Sequence, residues 1–269
     1  MTRGVLLFAH NNSVVDYVKQ ANFCCQQIKK HLNLPVCLVT SNDVPNKYVF
    51  DKIIKVENPN QQQTKTFNDK AERHRSLWSN QTRPGAYDLS PYDETIVMDT
   101  DFIVENNNLS KVFDSEEDFL INYEAQHIDF ESTMTEEMQY ISDTAIKMCW
   151  ATVFYFKKTK RTRILFDLIA HIRDNWEFYR FKYQITNINY RNDFAFAIAL
   201  HMMNGFVKLN WPKQLPCKLF YITDRDTVES YQDNQWRFIM QSGLKCRVQD
   251  INIHIMNKIG LNRIIDHNE

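Results

Sequence analysis

The sequence predicts an α/β protein of one domain, an α/β/α sandwich around a central mixed, mostly parallel sheet. Residues 5–9 and 35–40 are short continuous apolar runs, the composition of strands that are buried on both faces. Between them, apolar residues recur at helical spacing over 14–32. This strand–helix–strand order is the unit from which parallel sheets are built. A hydrophobic content of 43% in 269 residues is enough for one large core.

The remaining elements follow from periodicity and turn composition. Asn11, Asn12 and Ser13 predict a turn and the N-cap of the first helix. Residues 57–66 are polar, and residues 79–93 contain Pro and Gly, so both are predicted loops. The other predicted strands are 52–56, 95–98, 102–104, 118–123, 150–156, 206–209 and 219–222, and the other predicted helices are 68–78, 159–183 and 192–203. The tail over 251–265 has no strong signal for either class.

The composition excludes several classes of site and location. The chain has only 5 glycines, and neither a G-x-G-x-x-G motif nor a Walker A motif occurs in it. A bound nucleotide must therefore be held without a glycine-rich loop. No apolar stretch approaches the roughly 18 residues of a membrane span, and the run 5–9 is too short for the core of a signal peptide. We therefore expect a cytoplasmic protein with no membrane span.

Two Asp-x-Asp segments are candidates for a metal site. Asp99-Thr100-Asp101 directly follows the predicted strand 95–98, at the carboxyl end where open α/β sheets bind ligands. Because it is flanked by apolar residues and unpartnered buried carboxylates are costly, we expect a bound cation such as Mn²⁺ or Mg²⁺. Asp224-Arg225-Asp226 contains its own cation and precedes a polar stretch. We expect that second segment to neutralise itself at the surface.

Residues 92–104 resemble the metal-binding region of glycosyltransferases with the GT-A fold, especially the glycogenin-like members of family 8. The segment reads Tyr-Asp-Glu-Thr-Ile-Val-Met-Asp-Thr-Asp-Phe-Ile-Val. The resemblance implies the GT-A fold, a nucleotide-sugar donor (usually a UDP-sugar) and Mn²⁺ at Asp99 and Asp101, with Asp99 also close to the donor. The implied reaction moves a hexosyl or pentosyl group to an acceptor hydroxyl.

The same resemblance implies binding roles at both ends of the chain. These enzymes carry a late His as a further metal ligand and, shortly after it, a Lys on the donor phosphates. Here the corresponding residues are His254 and Lys258. The end of the first strand is where the family binds the nucleotide, which implies donor contacts at Ala9, His10 and Asn11.

Two further regions have implied roles near the reacting sugar. In these enzymes a basic residue upstream of the Asp-x-Asp faces the donor, and Lys70 is the first candidate here. The alternatives on the same predicted helix are Arg73, His74 and Arg75. At the start of the predicted helix 192–203, Asn192 and Asp193 are candidates for orienting or deprotonating the reacting group. Asp193 suits a favourable charge at a helix N-terminus equally well.

We therefore expect a metal-dependent glycosyltransferase domain over 1–269. Residues 1–105 form the nucleotide-sugar-binding half, and residues 106–269 form the acceptor half with a metal-binding tail. A nucleotidyltransferase of similar layout is one alternative, although residues 10–13 lack the glycine-rich loop that such enzymes use after the first strand. A non-catalytic glycan- or nucleotide-binding module is another.

The charge distribution bears on the acceptor. Residues 141–269 carry seven more Lys and Arg than Asp and Glu, partly in the basic run 157–163. A solvated basic face explains such a surplus, and so does a polyanionic partner. The acceptor is therefore left open between a glycan, a protein and a hydroxymethylated base in DNA, which would have to be flipped out of its stack.

Overall fold

The computed structural model describes residues 1–57, 63–69, 72–130, 139–144, 146–207 and 211–268. Its strands are β1 Arg3–Ala9, β2 Val36–Thr40, β3 Lys52–Lys55, β4 Thr64–Asp69, β5 Glu72–Leu77, β6 Glu94–Met98, β7 Phe102–Ile103, β8 Phe119–Asn122, β9 Ala125–His127, β10 Trp150–Lys157, β11 Leu219–Ile222, β12 Thr227–Gln232, β13 Gln235–Ile239, β14 Lys245–Gln249 and β15 Ile253–Ile255. The helices are α1 Tyr17–Leu32, α2 Ala86–Leu89, α3 Lys160–Asp174, α4 Trp176–Lys182, α5 Asn192–Met203 and α6 Lys258–Asn268, with 3₁₀ helices at Arg83–Gly85 and Asn108–Asp114. None of these helices has the length and apolar character needed to cross a bilayer.

Six strands form the central sheet in the order β3-β2-β1-β6-β10-β8. The first four are parallel to one another, whereas β10 is antiparallel to both of its neighbours. Every residue of β2 and β6 is buried, as expected for central strands of a parallel sheet. The prediction of an α/β protein with a mixed, mostly parallel central sheet is confirmed.

A second, smaller sheet begins just after the carboxyl end of β6. Its order is β7-β15-β11-β9, and only three residues separate the end of β6 from the start of β7. The antiparallel meander β12-β13-β14 lies in the chain between β11 and β15 of this sheet, and it buries Trp236 and Phe238 in a hydrophobic cluster with Leu261 of α6. Helix α6 also packs against α1, which itself packs on β1 and β2. The C-terminal elements are therefore joined to the first half of the central sheet.

The predicted helix over 68–78 is wrong, because this segment forms most of the antiparallel hairpin β4–β5, in which Phe67 lies opposite His74. Phe67 and Ser76 are its buried residues. The charged residues that suggested the solvated face of a helix are instead exposed along β5. Thr64 and Thr66 are β-branched and favour an extended backbone, a local preference that the charge pattern concealed.

Two helix boundaries also differ from the prediction. Helix α1 begins at Tyr17, because Asp16 rather than residues 11–13 caps it, with Oδ1 accepting from the backbone N–H of Lys19 at 3.0 Å. The predicted helix 159–183 is divided into α3 and α4 at Asn175. Asn175 has φ of −115° and ψ of 33°, outside the α-helical region, and its side-chain amide caps the end of α3 by donating to the carbonyl of His171 at 2.9 Å.

The remaining differences concern short elements. Residues 79–93, predicted as loop, contain the first 3₁₀ helix and α2. Of the predicted strand 206–209, Phe206 and Val207 lie in a turn, where Phe206 has φ of 64°, and the other two residues lie outside the described part. The tail holds β15 and α6. A strand of three residues is too short for periodicity to reveal.

Candidate active site

Two strand pairings bring Asp99, Asp101 and His254 together at the carboxyl end of the central sheet. The backbone N–H of Asp99 donates to the carbonyl of Thr152 at 2.8 Å, which continues the pairing of β6 with β10. The carbonyl of Asp101 accepts from the N–H of Ile255 at 2.8 Å, and β7 pairs with β15 so that Phe102 lies opposite His254. The positions of all three side chains are therefore set by backbone hydrogen bonds.

The three side chains have the spacing of a metal site. Their ligand atoms lie within 4.8 Å of one another. Nε2 of His254 is 3.2 Å from Oδ2 of Asp101 and 3.9 Å from Oδ2 of Asp99. The other ring nitrogen, Nδ1, is 3.3 Å from the hydroxyl of Thr152, whereas Nε2 is buried, faces the two carboxylates and makes no well-directed hydrogen bond in the described part of the chain. Two carboxylates and one orphaned imidazole nitrogen fit a divalent cation.

Each carboxylate also has a cationic partner, contrary to the expectation that neither would have one. Arg83 forms an ion pair with Asp99, and Lys258 forms one with Asp101. Burial favours the neutral form of Asp101, but Lys258 and His254 hold the pKa of its carboxyl well below its usual range. Asp101 is therefore a buried anion whose charge Lys258 and His254 compensate.

A cavity of about 460 Å³ opens over these residues. The first turn of α5 presents Asn192 and Asp193 to this cavity. Oδ1 of Asp193 accepts from the N–H of Ala151 at 2.9 Å, and Oδ2 accepts from Arg191 at 2.7 Å. The amide of Asn192 donates to the carbonyl of Asn80 at 3.0 Å. Both predicted catalytic residues thus line the cavity with side chains already held by the protein.

Of the three residues predicted at the end of β1, the described cavity wall includes His10 but neither Ala9 nor Asn11. The ring nitrogens of His10 lie 2.9 Å from the Ser41 hydroxyl and 3.1 Å from the Thr82 hydroxyl, and burial lowers its pKa to about 4. Ala9 is fully buried in the strand. Asn11 Oδ1 instead accepts from a backbone N–H in the first turn of α1.

The predicted basic residue Lys70 lies outside the described residues. Its alternatives Arg73, His74 and Arg75 are exposed on β5. The cations that line the cavity from upstream of β6 are Arg83 and Lys65, and sequence reasoning identified neither. Arg83 lies beside Pro84 and Gly85 in a segment predicted as loop, and nothing in the local pattern marks it as 8% exposed.

The second Asp-x-Asp segment follows β11 and has a different environment. Asp226 is buried rather than at the surface, and it is neutralised by His127, with Nε2 at 3.0 Å, rather than by the exposed Arg225. It also accepts from the N–H and hydroxyl of Thr223. Asp224 reaches the cavity and accepts from the Asn68 amide at 2.7 Å. Within the described residues, only the first Asp-x-Asp belongs to a group that could hold a metal.

The basic run 157–163 lies away from this site. Lys157 is opposite Glu94 at the start of β6, and thus at the edge of the sheet opposite Asp99. Its ammonium group donates to the carbonyl of Ser115 at 2.7 Å, and that of Lys158 donates to the carbonyl of Ser90 at 2.7 Å. Much of the predicted basic surface is therefore used in contacts within the protein.

No protein-family model and no curated protein matches the chain. Among solved structures, matches include the glycosyltransferase GlyE of Streptococcus pneumoniae TIGR4, at 14% identity and a TM-score of 0.43, and its apo form, at 16% and 0.39. Each covers 76% of this chain, which spans 43% of the GlyE chain. The galactosyltransferase LgtC, solved with donor and acceptor sugar analogues, matches at 10% identity and 0.45, covering 73% of this chain and 70% of its own.

Proposed function

We propose that this chain is a metal-dependent glycosyltransferase that uses a nucleotide-sugar donor, in the first instance a UDP-sugar. The observation that carries the proposal is the group of Asp99, Asp101 and His254 at the carboxyl end of a parallel sheet, facing a cavity large enough for such a donor. The resemblance of residues 92–104 to the metal-binding region of GT-A enzymes supports the same function.

Asp99, Asp101 and His254 would hold Mn²⁺ or Mg²⁺. When bound, the cation supplies positive charge to the diphosphate of the donor, whose negative charge increases as the sugar leaves. Lys258 and Arg83 neutralise the two carboxylates in the protein alone. Because both have long side chains, they can exchange a carboxylate for a phosphate oxygen once another cation compensates the carboxylates.

The reacting sugar would lie beside the first turn of α5. Both oxygens of Asp193 already accept hydrogen bonds, so we assign it an orienting role rather than that of a free base. Asn192 completes this wall. The acceptor would enter along Trp78, Trp150 and the amides nearby, since aromatic faces and amide groups suit the C–H faces and hydroxyls of a glycan.

Titration calorimetry with UDP, with and without Mn²⁺, tests the proposal directly. We expect metal-dependent binding of UDP, followed by slow hydrolysis of one nucleotide-sugar in a screen of several sugars. A nucleotidyltransferase would instead require a nucleoside triphosphate, and a glycan-binding module would give no metal-dependent heat with UDP. Either result contradicts the proposal.

The acceptor class needs a separate assay. With the matched donor, we expect sugar incorporation into oligosaccharides. Duplex DNA carrying a hydroxymethylated base is the comparison, because phosphate contacts would make its binding fall steeply with salt. Incorporation into that DNA alone would favour the DNA acceptor and contradict the glycan assignment.

A further inference from the structure

Lys65 lies in the candidate site but has no role in the proposal above. It is on β4, and its half-buried side chain lines the same cavity as Asp101 and Asp193. Its ammonium nitrogen is 5.2 Å from the centre of the Trp78 ring and 5.9 Å from that of Phe67. Aromatic faces stabilise a cation at this distance while leaving its N–H groups free to donate.

The other Lys and Arg side chains of the described cavity wall are all ion-paired. Arg83 is paired with Asp99, Arg191 with Asp193 and Lys258 with Asp101. Lys65 forms neither a hydrogen bond nor an ion pair through its side chain with any residue in the described ranges. It is therefore the one cation of this wall that can bind an anionic ligand without first releasing a carboxylate.

The hairpin that carries Lys65 is fastened over the site at its far end. Asn68 donates to Asp224 at 2.7 Å, which ties β4 to the segment after β11. Asp69 accepts from Asn257 at 3.4 Å and pairs with Arg263 at 3.5 Å, which ties it to α6. Lys65 is thus presented from an anchored strand, and a ligand would not have to order it.

The electrostatic surroundings of Lys65 favour an anion. Burial, with the neighbouring charges of Lys258 and Arg191, lowers its pKa to about 8 against the opposing effect of Asp101 and Asp224. A negatively charged ligand would stabilise the charged form of a half-buried ammonium group that lies close to two other cations.

We propose that Lys65 is a binding residue for the diphosphate of the donor, acting from the hairpin side of the cavity. This inference rests on the proposed function, because it takes the ligand to be a nucleoside diphosphate. The chemistry of Lys65 itself requires only that the ligand carry a diphosphate-type anion. Lys258 would approach the diphosphate from α6 and Lys65 from β4, so that positive charge surrounds the leaving group on two sides.

Calorimetry on Lys65→Met, Lys65→Arg and wild type tests the inference, because Met keeps an apolar stem against Trp78 without the charge. The ligands are UDP, uridine and inorganic pyrophosphate, each with Mn²⁺. We expect Lys65→Met to weaken UDP and pyrophosphate about tenfold or more, as for one lost charge-assisted hydrogen bond, with uridine unchanged. Lys65→Arg should recover most of the affinity. Lys52→Ala, on the exposed strand β3, is the control and should match wild type.

The outcomes separate the two proposals. If folded Lys65→Met binds UDP and pyrophosphate like wild type, or loses uridine equally, the assignment of Lys65 is wrong. A rise in the KM for an acceptor with donor affinity unchanged also overturns it, since Lys65 would then serve an anionic acceptor. If wild type binds pyrophosphate through Lys65 but no UDP, the proposed function fails while the anion site stands.

Discussion

The two Asp-x-Asp segments share a motif and a position after a strand, yet their surroundings differ. Asp101 is paired with a lysine and lies near a histidine nitrogen that has no hydrogen-bond partner among the described residues. Asp226 accepts from two backbone N–H groups, a hydroxyl and His127, all fixed nearby. The long side chain of Lys258 can leave Asp101 when a ligand binds. The hydrogen bonds to Asp226 come from groups fixed around it and leave its carboxylate with no free position for a ligand. Whether the partners of the carboxylate can move therefore distinguishes the candidate metal site from a structural carboxylate.

The largest expected effect comes from Asp101→Asn. Removing this carboxylate should reduce kcat/KM about 10²- to 10³-fold, because the cation that stabilises the leaving diphosphate loses a ligand. Asp99→Asn should act in the same direction. A radiolabelled-sugar assay with circular dichroism measures both effects. Near-normal turnover of either variant would remove the metal assignment, and Asp43→Asn, at an exposed position, is the control.

Asp226→Asn should have the opposite profile. We expect a loss of about 2–4 kcal/mol in the free energy of unfolding, because a buried pair is broken and an amide N–H₂ group faces hydrogen-bond donors. Urea denaturation measures it. Affinity for Mn²⁺ should remain close to wild type in the folded fraction. A stable Asp226→Asn protein with weakened Mn²⁺ binding would show that Asp226, and not the first Asp-x-Asp segment alone, serves the metal.

The two histidines sharpen the same contrast. His254→Ala should weaken Mn²⁺ about 10- to 100-fold and change stability less, since it removes a proposed ligand. His127→Gln should destabilise the protein and leave the Mn²⁺ titration unchanged, since His127 lies between Asp129 and Asp226. If the metal titration of His254→Ala is unchanged while the protein is folded, His254 does not belong to the site.

The smallest expected effect is a pH dependence of stability. Burial lowers the pKa of His127, but the hydrogen bonds and charges of Asp226 and Asp129 outweigh this, and the net pKa is raised above its ordinary 6.5. Its contribution is therefore fully present below pH 6.5 and is lost as the pH rises through the folded value. Urea unfolding between pH 6 and pH 9 should show a decline that His127→Gln lacks. Equal slopes would mean that His127 is neutral in the fold.

The sequence was informative where a local pattern reflects burial. The apolar runs that became β1, β2 and β6 need no information about distant residues, and neither does the position of Asp99 and Asp101 after β6. Their ion-pair partners depend on distant parts of the chain: Arg83 reaches Asp99 from a 3₁₀ helix, and Lys258 reaches Asp101 across 157 residues. No local periodicity encodes such contacts. Only the resemblance indicates Lys258, and Lys65 escapes prediction because the polar composition of residues 57–66 predicts a loop.

The pairing of β7 with β15 has a consequence for the order of folding. The candidate ion site is complete only when a strand near residue 254 docks beside one near residue 102, and contacts of such sequence separation form late and slowly. The central sheet can condense first around β1, β2 and β6, whose partners are closer along the chain. An incompletely folded chain would then lack a functional centre, so refolding monitored by Mn²⁺ binding should lag behind refolding monitored by far-ultraviolet circular dichroism.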